Sequence, residues 1–308
     1  MYGKTFQALR FGRTTIYTAD PDNLKAIYGT CWKDWGTGRA NAMEPFCGPG
    51  FVTRDGEEWR TYRILFASTL NEANAVNLNH LSKAYKRLLG NLRMRGKSPV
   101  EIRSQIIQGM LVTQDTTGIV LSNTLFLLSR APEVWSRLRE EVAGIGSVED
   151  WRAPDLKNLR LLHNCIKESL RIHPLFHANS RVATTDTTLP TGGGPDGTAP
   201  IFIPTGTRVS TNFYTLHRNK SVFGEDIDSF NPDRWNYICP SSWEFMPFSH
   251  GPRSCAGRHK ALGEASYIIA RMAVQFERIE SRDIRPWTED IKLVVKNGNG
   301  CQVAVYPG

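Results

Sequence analysis

Cys255 stands in the run Phe248, Gly251, Arg253, Cys255, Gly257, just ahead of an apolar helical pattern that begins at Ala256. A thiol at a helix start meets free backbone N–H groups and the positive end of the helix dipole, and both favour the thiolate. Glycines on either side let the backbone pass close to something flat and large, and Arg253 is placed to pair with an anion such as a carboxylate. A thiolate so placed is what an axial haem ligand requires. The other cysteines, Cys31, Cys47, Cys165, Cys239 and Cys301, are scattered and form no Cys-x-x-Cys pair. That pattern argues against a disulfide framework or structural zinc, and for a reducing, intracellular setting.

Further residues have spacing that can do work. Glu168 and Arg171 share one face of a helix at i,i+3, and Arg234 follows within Phe230, Asn231, Pro232, Asp233, Arg234, Trp235. Trp59 and Arg63 share a face at i,i+4. Arg181 lies in an extended stretch after Asn179 and Ser180. Asp115 and Thr116 interrupt an otherwise apolar helix, a costly placement unless the pair is solvated, partnered or functional. Two apparent motifs carry nothing. The glycines from Gly192 to Gly197 satisfy a nucleotide-binding pattern by letter but are followed by extended sequence, so they read as a hairpin turn. His173 and His177 are interrupted by Pro174 and lack a supporting glutamate, which argues against zinc.

The elements that must position these residues follow from periodicity and breakers. Thr5–Phe11 and Thr14–Thr18 alternate around Gly12 and Arg13 as a hairpin, and Asp20 and Pro21 start a short helix through Ile27. Asp55 to Trp59 leads into a helix ending near Leu70. Pro99 to Arg130 reads as one long helix, Pro132 opens the next, and Leu156 to Ile172 is amphipathic. Strands and turns fill the chain from Pro174 to about Phe248, a last helix spans Ala256 to Phe276, and Ile291 to Tyr306 alternates like a strand. The fold class is mainly α with a minor β-sheet, in a single domain over residues 1–308.

With 308 residues, 40% hydrophobic and 22% charged, the chain has ample material for a core and is not disordered. Its longest apolar stretch, Ile106 to Leu128, is interrupted by Gln108, Gln114 and Asp115, so no transmembrane segment is expected, and Met1 to Thr5 is unlike a signal peptide. A net charge of +8 permits an acidic partner. The basic run from Lys86 to Lys97 lacks aromatic interleaving, so no nucleic acid is expected.

The segment Phe248 to Gly257 resembles the haem-binding signature Phe-x-x-Gly-x-Arg-x-Cys-x-Gly of the cytochrome P450 family at every fixed position. The Glu168–Arg171 pair, the arginine motif at Arg234 and the Trp59–Arg63 pair follow the family's order. The resemblance implies haem b with Cys255 as iron ligand, and Phe248 and Gly257 as cofactor-binding neighbours. It also implies propionate contacts from Trp59, Arg63, Arg181 and Arg253, and a buried Glu168–Arg171–Arg234 brace. Asp115 and Thr116 match the family's acid–threonine pair for proton delivery, although Val112 and Thr113 replace the usual small residue and glycine.

The reaction so implied is a haem-thiolate monooxygenase's: one oxygen atom of dioxygen enters an apolar substrate, with electrons from an NADPH-dependent reductase greeted by Arg258, His259 and Lys260. The stretches Leu189 to Gly197 and Glu264 to Arg271 look most like fungal members that hydroxylate alkanes or fatty acids, which implies the endoplasmic reticulum membrane as location. Against the family, the N-terminal anchor region is missing, and only about fifty residues separate Arg63 from Asp115 where several helices are usual. Those absences, with Val112 and Thr113, leave an alternative open: a non-catalytic, truncated haem-binding remnant whose long helix exposes an apolar face.

Overall fold

A computed structural model describes residues 3–10, 12–72, 90, 96–113, 115–151 and 153–308. The opening hairpin forms as read, with β1 (Thr5–Arg10) antiparallel to β2 (Arg13–Thr18). Asp20 caps α1 (Pro21–Lys25) by accepting from the N–H groups of Asp22 and Asn23, and Pro21 fills the first turn where no donor is needed. A short strand β3 (Trp35–Gly36), then α2 (Ala40–Cys47) and α3 (Gly56–Glu72), complete the first part of the chain. The expected helix or helices between Ser68 and Pro99 fall mostly outside the described residues.

The expected single helix from Pro99 to Arg130 is two: α4 (Pro99–Thr113) and α5 (Thr116–Leu128). On either side of the break the hydroxyls of Thr113 and Thr116 turn back onto the carbonyls of Gly109 (2.8 Å) and Val112 (3.1 Å). Such back-bonding slightly weakens a helix without itself ending one, since the Thr124 hydroxyl bonds the Val120 carbonyl in the same way inside the continuous α5. The inner face of α4 is polar. Its buried residues are Ser104, Gln105, Gln108 and Gly109, while Val100 and Met110 are exposed. Gln108 explains the polarity: it accepts from the Val52 N–H (2.8 Å) and donates to the Gly48 carbonyl (2.6 Å), tying α4 to the loop ahead of α3.

The main core lies between α5, α6 (Pro132–Ala143), α8 (Arg160–Ile172) and α11 (Arg258–Gln275). Leu138, Val142, Leu162, Ile166, Ala265 and Ile269 repeat at helical spacing and are fully buried there. Each of the larger ones contributes roughly 1.5–3 kcal/mol of burial. The amphipathic stretch expected from Leu156 is also broken, into α7 (Ala153–Lys157) and α8. No side chain of its own caps α8. Instead the Glu141 carboxylate, from α6, accepts the Leu161 and Leu162 N–H groups at 2.7 and 3.0 Å.

After α8 come β4 (Ala178–Ala183), β5 (Thr187–Gly193), β6 (Ala199–Ile203) and β7 (Arg208–Asn212). The five-stranded sheet has the order β1-β2-β7-β4-β3, with β2 and β7 parallel and the other pairs antiparallel. The glycine run is the turn of the β5–β6 hairpin, as its extended flank required. Short helices α9 (Phe213–Leu216) and α10 (Lys220–Phe223) and a 3₁₀ turn (Pro232–Asn236) punctuate a region read as strands and turns. The chain closes with β8 (Phe276–Ser281) paired to β11 (Val303–Pro307), and β9 (Glu289–Ile291) paired to β10 (Val295–Asn297).

Candidate functional site

The loop from Met246 to Gly257 wraps into a compact turn that ends on α11. The Ser249 N–H donates to the Met246 carbonyl, Ser254 to Gly251, and Cys255 to Phe248, at 3.0, 3.0 and 2.9 Å. Ser249 has φ of 58°, the one positive value among described non-glycine residues. Gly251 has φ of 73°, and a Cβ there would lie 1.8 Å from the Tyr28 carbonyl, so only glycine fits.

Cys255 presents its sulfur to open space, yet protein walls it closely enough to desolvate the thiol. Burial pushes the thiol above the ordinary cysteine range. The Gly257 N–H, Arg63 and Arg258 pull the other way without cancelling it. The favourable helix-start contribution expected at Cys255 is therefore present but outweighed. A bound cation reverses that balance, because a coordinating thiol is deprotonated outright.

Around this loop the fold gathers Arg39, Arg63, Arg181 and Arg253. Arg253 donates to Asp55 (2.6 Å) and to the Arg54 carbonyl (2.7 Å), and its guanidinium lies 4.3 Å over the Trp59 ring. Trp59 in turn meets Trp32 edge-on at 5.9 Å. Arg181, nearly fully buried, stacks 4.6 Å over Tyr28. Arg39 and Arg181 both donate to the one neutral oxygen of Asn179, each at 3.2 Å. Tyr28, Trp32, Arg181, His250 and Arg253 line one narrow pocket.

The electrostatics are unbalanced. Burial first, and then the charges of Arg181, Arg39 and Arg63 against the help of Asp55, lower Arg253 to about 10. Burial and the neighbouring Arg181 likewise lower Arg39. At neutral pH these groups stay charged, and Asp55 is the carboxylate that acts on both. Such a cluster is strained until an anion joins it. The donor set, an open sulfur beside an excess of guanidinium, fits a group carrying both a metal and carboxylates.

Behind the loop, the expected brace is in place. Glu168 and Arg171 are wholly buried and bonded at 2.8 and 3.0 Å, and Glu168 also accepts from Arg234 (3.1 Å) and the Trp235 indole (3.0 Å). Phe248 packs against the helical core with Arg258 above its ring at 5.9 Å. Asp115 is exposed at the start of α5, and the Thr116 hydroxyl is engaged with Val112.

Sequence reasoning passed over Arg39, Asp55 and Tyr28. Arg39 sits in a glycine-flanked loop with no periodicity to mark it, and Asp55 read only as the lead-in to a helix. Tyr28 is in a π-helical turn that local pattern does not announce. Nothing local distinguishes these residues; tertiary closure of distant loops brings them together.

Residues 95–303 match the cytochrome P450 family model. The chain is 39% identical over 226 residues to cytochrome P450 monooxygenase FPY7 of Fusarium mangiferae, covering 73% of this chain and 43% of that protein. It is 39% identical over 246 residues to cytochrome P450 52A3-A of Candida maltosa, covering 76% and 47%. It is 43% identical over 188 residues to cytochrome P450 52-E3 of Starmerella bombicola, covering 59% and 36%. The chain spans less than half the length of these curated relatives.

Proposed function

The chain belongs to the cytochrome P450 family, and on that premise we propose that it forms a haem-thiolate site for inserting one oxygen atom of dioxygen into an apolar organic substrate. The observation that carries the proposal is the pairing of an open Cys255 sulfur with Arg39, Arg63, Arg181 and Arg253, of which Asp55 acts on Arg39 and Arg253. When bound, haem would supply the oxygen-activating chemistry, with the Cys255 thiolate as the residue that holds its iron.

The chain's own residues have distinct parts in this reading. Cys255 holds the iron, steadied by the Gly257 N–H and the Arg63 charge. Arg39, Arg63, Arg181 and Arg253 take the two propionates, with Trp59 flooring Arg253. Phe248 and Gly257 shape the wall, with the Gly257 N–H turned toward the Cys255 sulfur. Asp115, open to solvent, passes protons toward the Thr116 hydroxyl once that hydroxyl leaves the Val112 carbonyl. Arg258 and His259, exposed on the first turn of α11, face an acidic reductase fed by NADPH, while Lys260 is paired with Glu264 of its own helix. Likeness to fungal hydroxylases supports an alkane, fatty acid or similar lipophile as substrate. Among the described residues no helix is long and apolar enough to cross a membrane. Placement at the endoplasmic reticulum rests on family likeness alone.

A second reading is a haem-binding chain without turnover. It is favoured by Thr113 and Thr116 both being turned onto helical carbonyls, with Val112 beside them. The test is the carbon monoxide difference spectrum of the reduced protein, followed by product analysis with reductase, NADPH and a fatty acid. A red-shifted, thiolate-type band that Cys255→Ser abolishes is the expected result. Folded protein with no such band overturns the haem-thiolate reading; a good band without product selects the second.

A further inference from the structure

His217 follows α9 and is completely buried, yet it is no part of the site described above. Its polar atoms face two different structures. The backbone carbonyl accepts from Arg171 Nη1 at 3.3 Å, joining it to the buried Glu168 cluster. The ring Nε2 accepts from the Met246 N–H at 2.9 Å, at the root of the cysteine loop, and Met246 is itself buried. Because Nε2 accepts, the ring proton resides on Nδ1. The Leu170 carbonyl favours a proton there, although no hydrogen bond of good geometry forms. The ring is fixed against Phe213 (6.4 Å, 15°) and Phe245 (5.0 Å, 50°).

From Met246 the bonds run on toward the cysteine. The Met246 carbonyl accepts from Ser249, whose positive φ of 58° is unfavourable for a residue with a Cβ. The Phe248 carbonyl, one residue earlier, accepts from the Cys255 N–H. A strained turn keeps its shape only where its root is held, and His217 holds that root.

We infer that His217 is a positioning residue: its neutral imidazole, accepting from the Met246 N–H, transmits the rigidity of the Glu168–Arg171–Arg234 cluster to the loop that aims the Cys255 sulfur. Its importance to iron ligation rests on the haem-thiolate reading above; its hold on the loop does not. Burial, then Arg171 and Arg218, press the imidazole down to about 3, so the acceptor form persists across the physiological range.

The test compares His217→Phe, which keeps a ring but removes the acceptor, with His217→Gln, whose amide oxygen can stand near the Nε2 position. Two readouts are taken on the purified chain: amide hydrogen exchange at Met246, Ser249 and Cys255, and the balance of thiolate and neutral-thiol bands in the reduced carbon monoxide spectrum after haem loading. The Phe variant is expected to exchange roughly tenfold faster at those amides, with Ile166 in α8 unchanged. Its spectrum should shift toward the neutral-thiol form, and the Gln variant should restore both. Wild-type behaviour of the Phe variant, or acceleration spread equally through α8, overturns the inference. If the Phe variant does not accumulate, His217→Asn replaces it, and equal exchange in the Gln and Asn variants is the overturning result. Should wild type itself lack a thiolate band, the haem-thiolate reading fails while exchange still decides the role of His217.

Discussion

Arg39 and Arg181 lean on a single amide oxygen, that of Asn179, and neither finds a carboxylate there. Two cations sharing one neutral acceptor gain little from it, so an incoming anion has much to offer them. Arg39→Leu is therefore expected to weaken haem binding about tenfold to a hundredfold, the range for one charge-assisted contact. Spectrophotometric haem titration of the variant checks this, and an unchanged affinity would remove Arg39 from the site. The effect on Arg253 runs the opposite way: loss of the Arg39 charge relieves one of the repulsions that lower it, so Arg253 becomes harder to deprotonate.

At the scale of elements, Glu168 joins α8 to the 3₁₀ turn at Pro232–Asn236 by accepting from Arg171, Arg234 and Trp235. Removing one member of a buried charged set leaves the others uncompensated. Glu168→Gln is expected to destabilise the fold by about 3–5 kcal/mol, read as a lower midpoint in urea. The pair at i,i+3 and the later arginine were legible in sequence, because each lies in a short motif. The breaks at Thr113–Thr116 and Asn158–Leu159 were not. Both flanks of each break have good helical periodicity, and at the second the carboxylate that caps α8 comes from Glu141 of another helix, which no local pattern marks.

For the molecule as a whole, acid stability follows from its buried histidines. His173, stacked on Trp287 at 4.1 Å, is lowered to about 3 by burial first and then by Arg218, His177 and Arg171; His217 is lowered equally. Both are neutral when folded, while the unfolded chain takes up their protons below the ordinary value of 6.5. Full stability is therefore present above pH 6.5 and is lost progressively toward pH 3, at up to about 1.4 kcal/mol per pH unit for each residue. Glu101, held at about 2 by Lys97 and then by the Ser98 N–H and Tyr62, adds to the loss only below its ordinary value of 4.5. Burial lowers His163 and His177 as well, so urea midpoints at pH 7 and pH 5 should differ by the summed histidine contribution in wild type, and a folded His217→Gln variant should lose only the share of His217.

What the sequence determined by itself was the local grouping of residues in short motifs: Arg253 and Gly257 beside Cys255, Glu168 with Arg171, Trp59 with Arg63. These lie within one loop or one helical turn, where spacing alone sets geometry. Helix class, the opening hairpin and the β5–β6 turn were legible for the same reason, since periodicity and turn residues are local. Only the tertiary structure decided which charges surround the thiol and whether burial or the helix start governs it. Arg39, Asp55, Arg63, Arg181 and Arg253 come from segments as far apart as residues 39 and 253. Coulombic repulsion and desolvation depend on distance in space, and no distance in sequence encodes them.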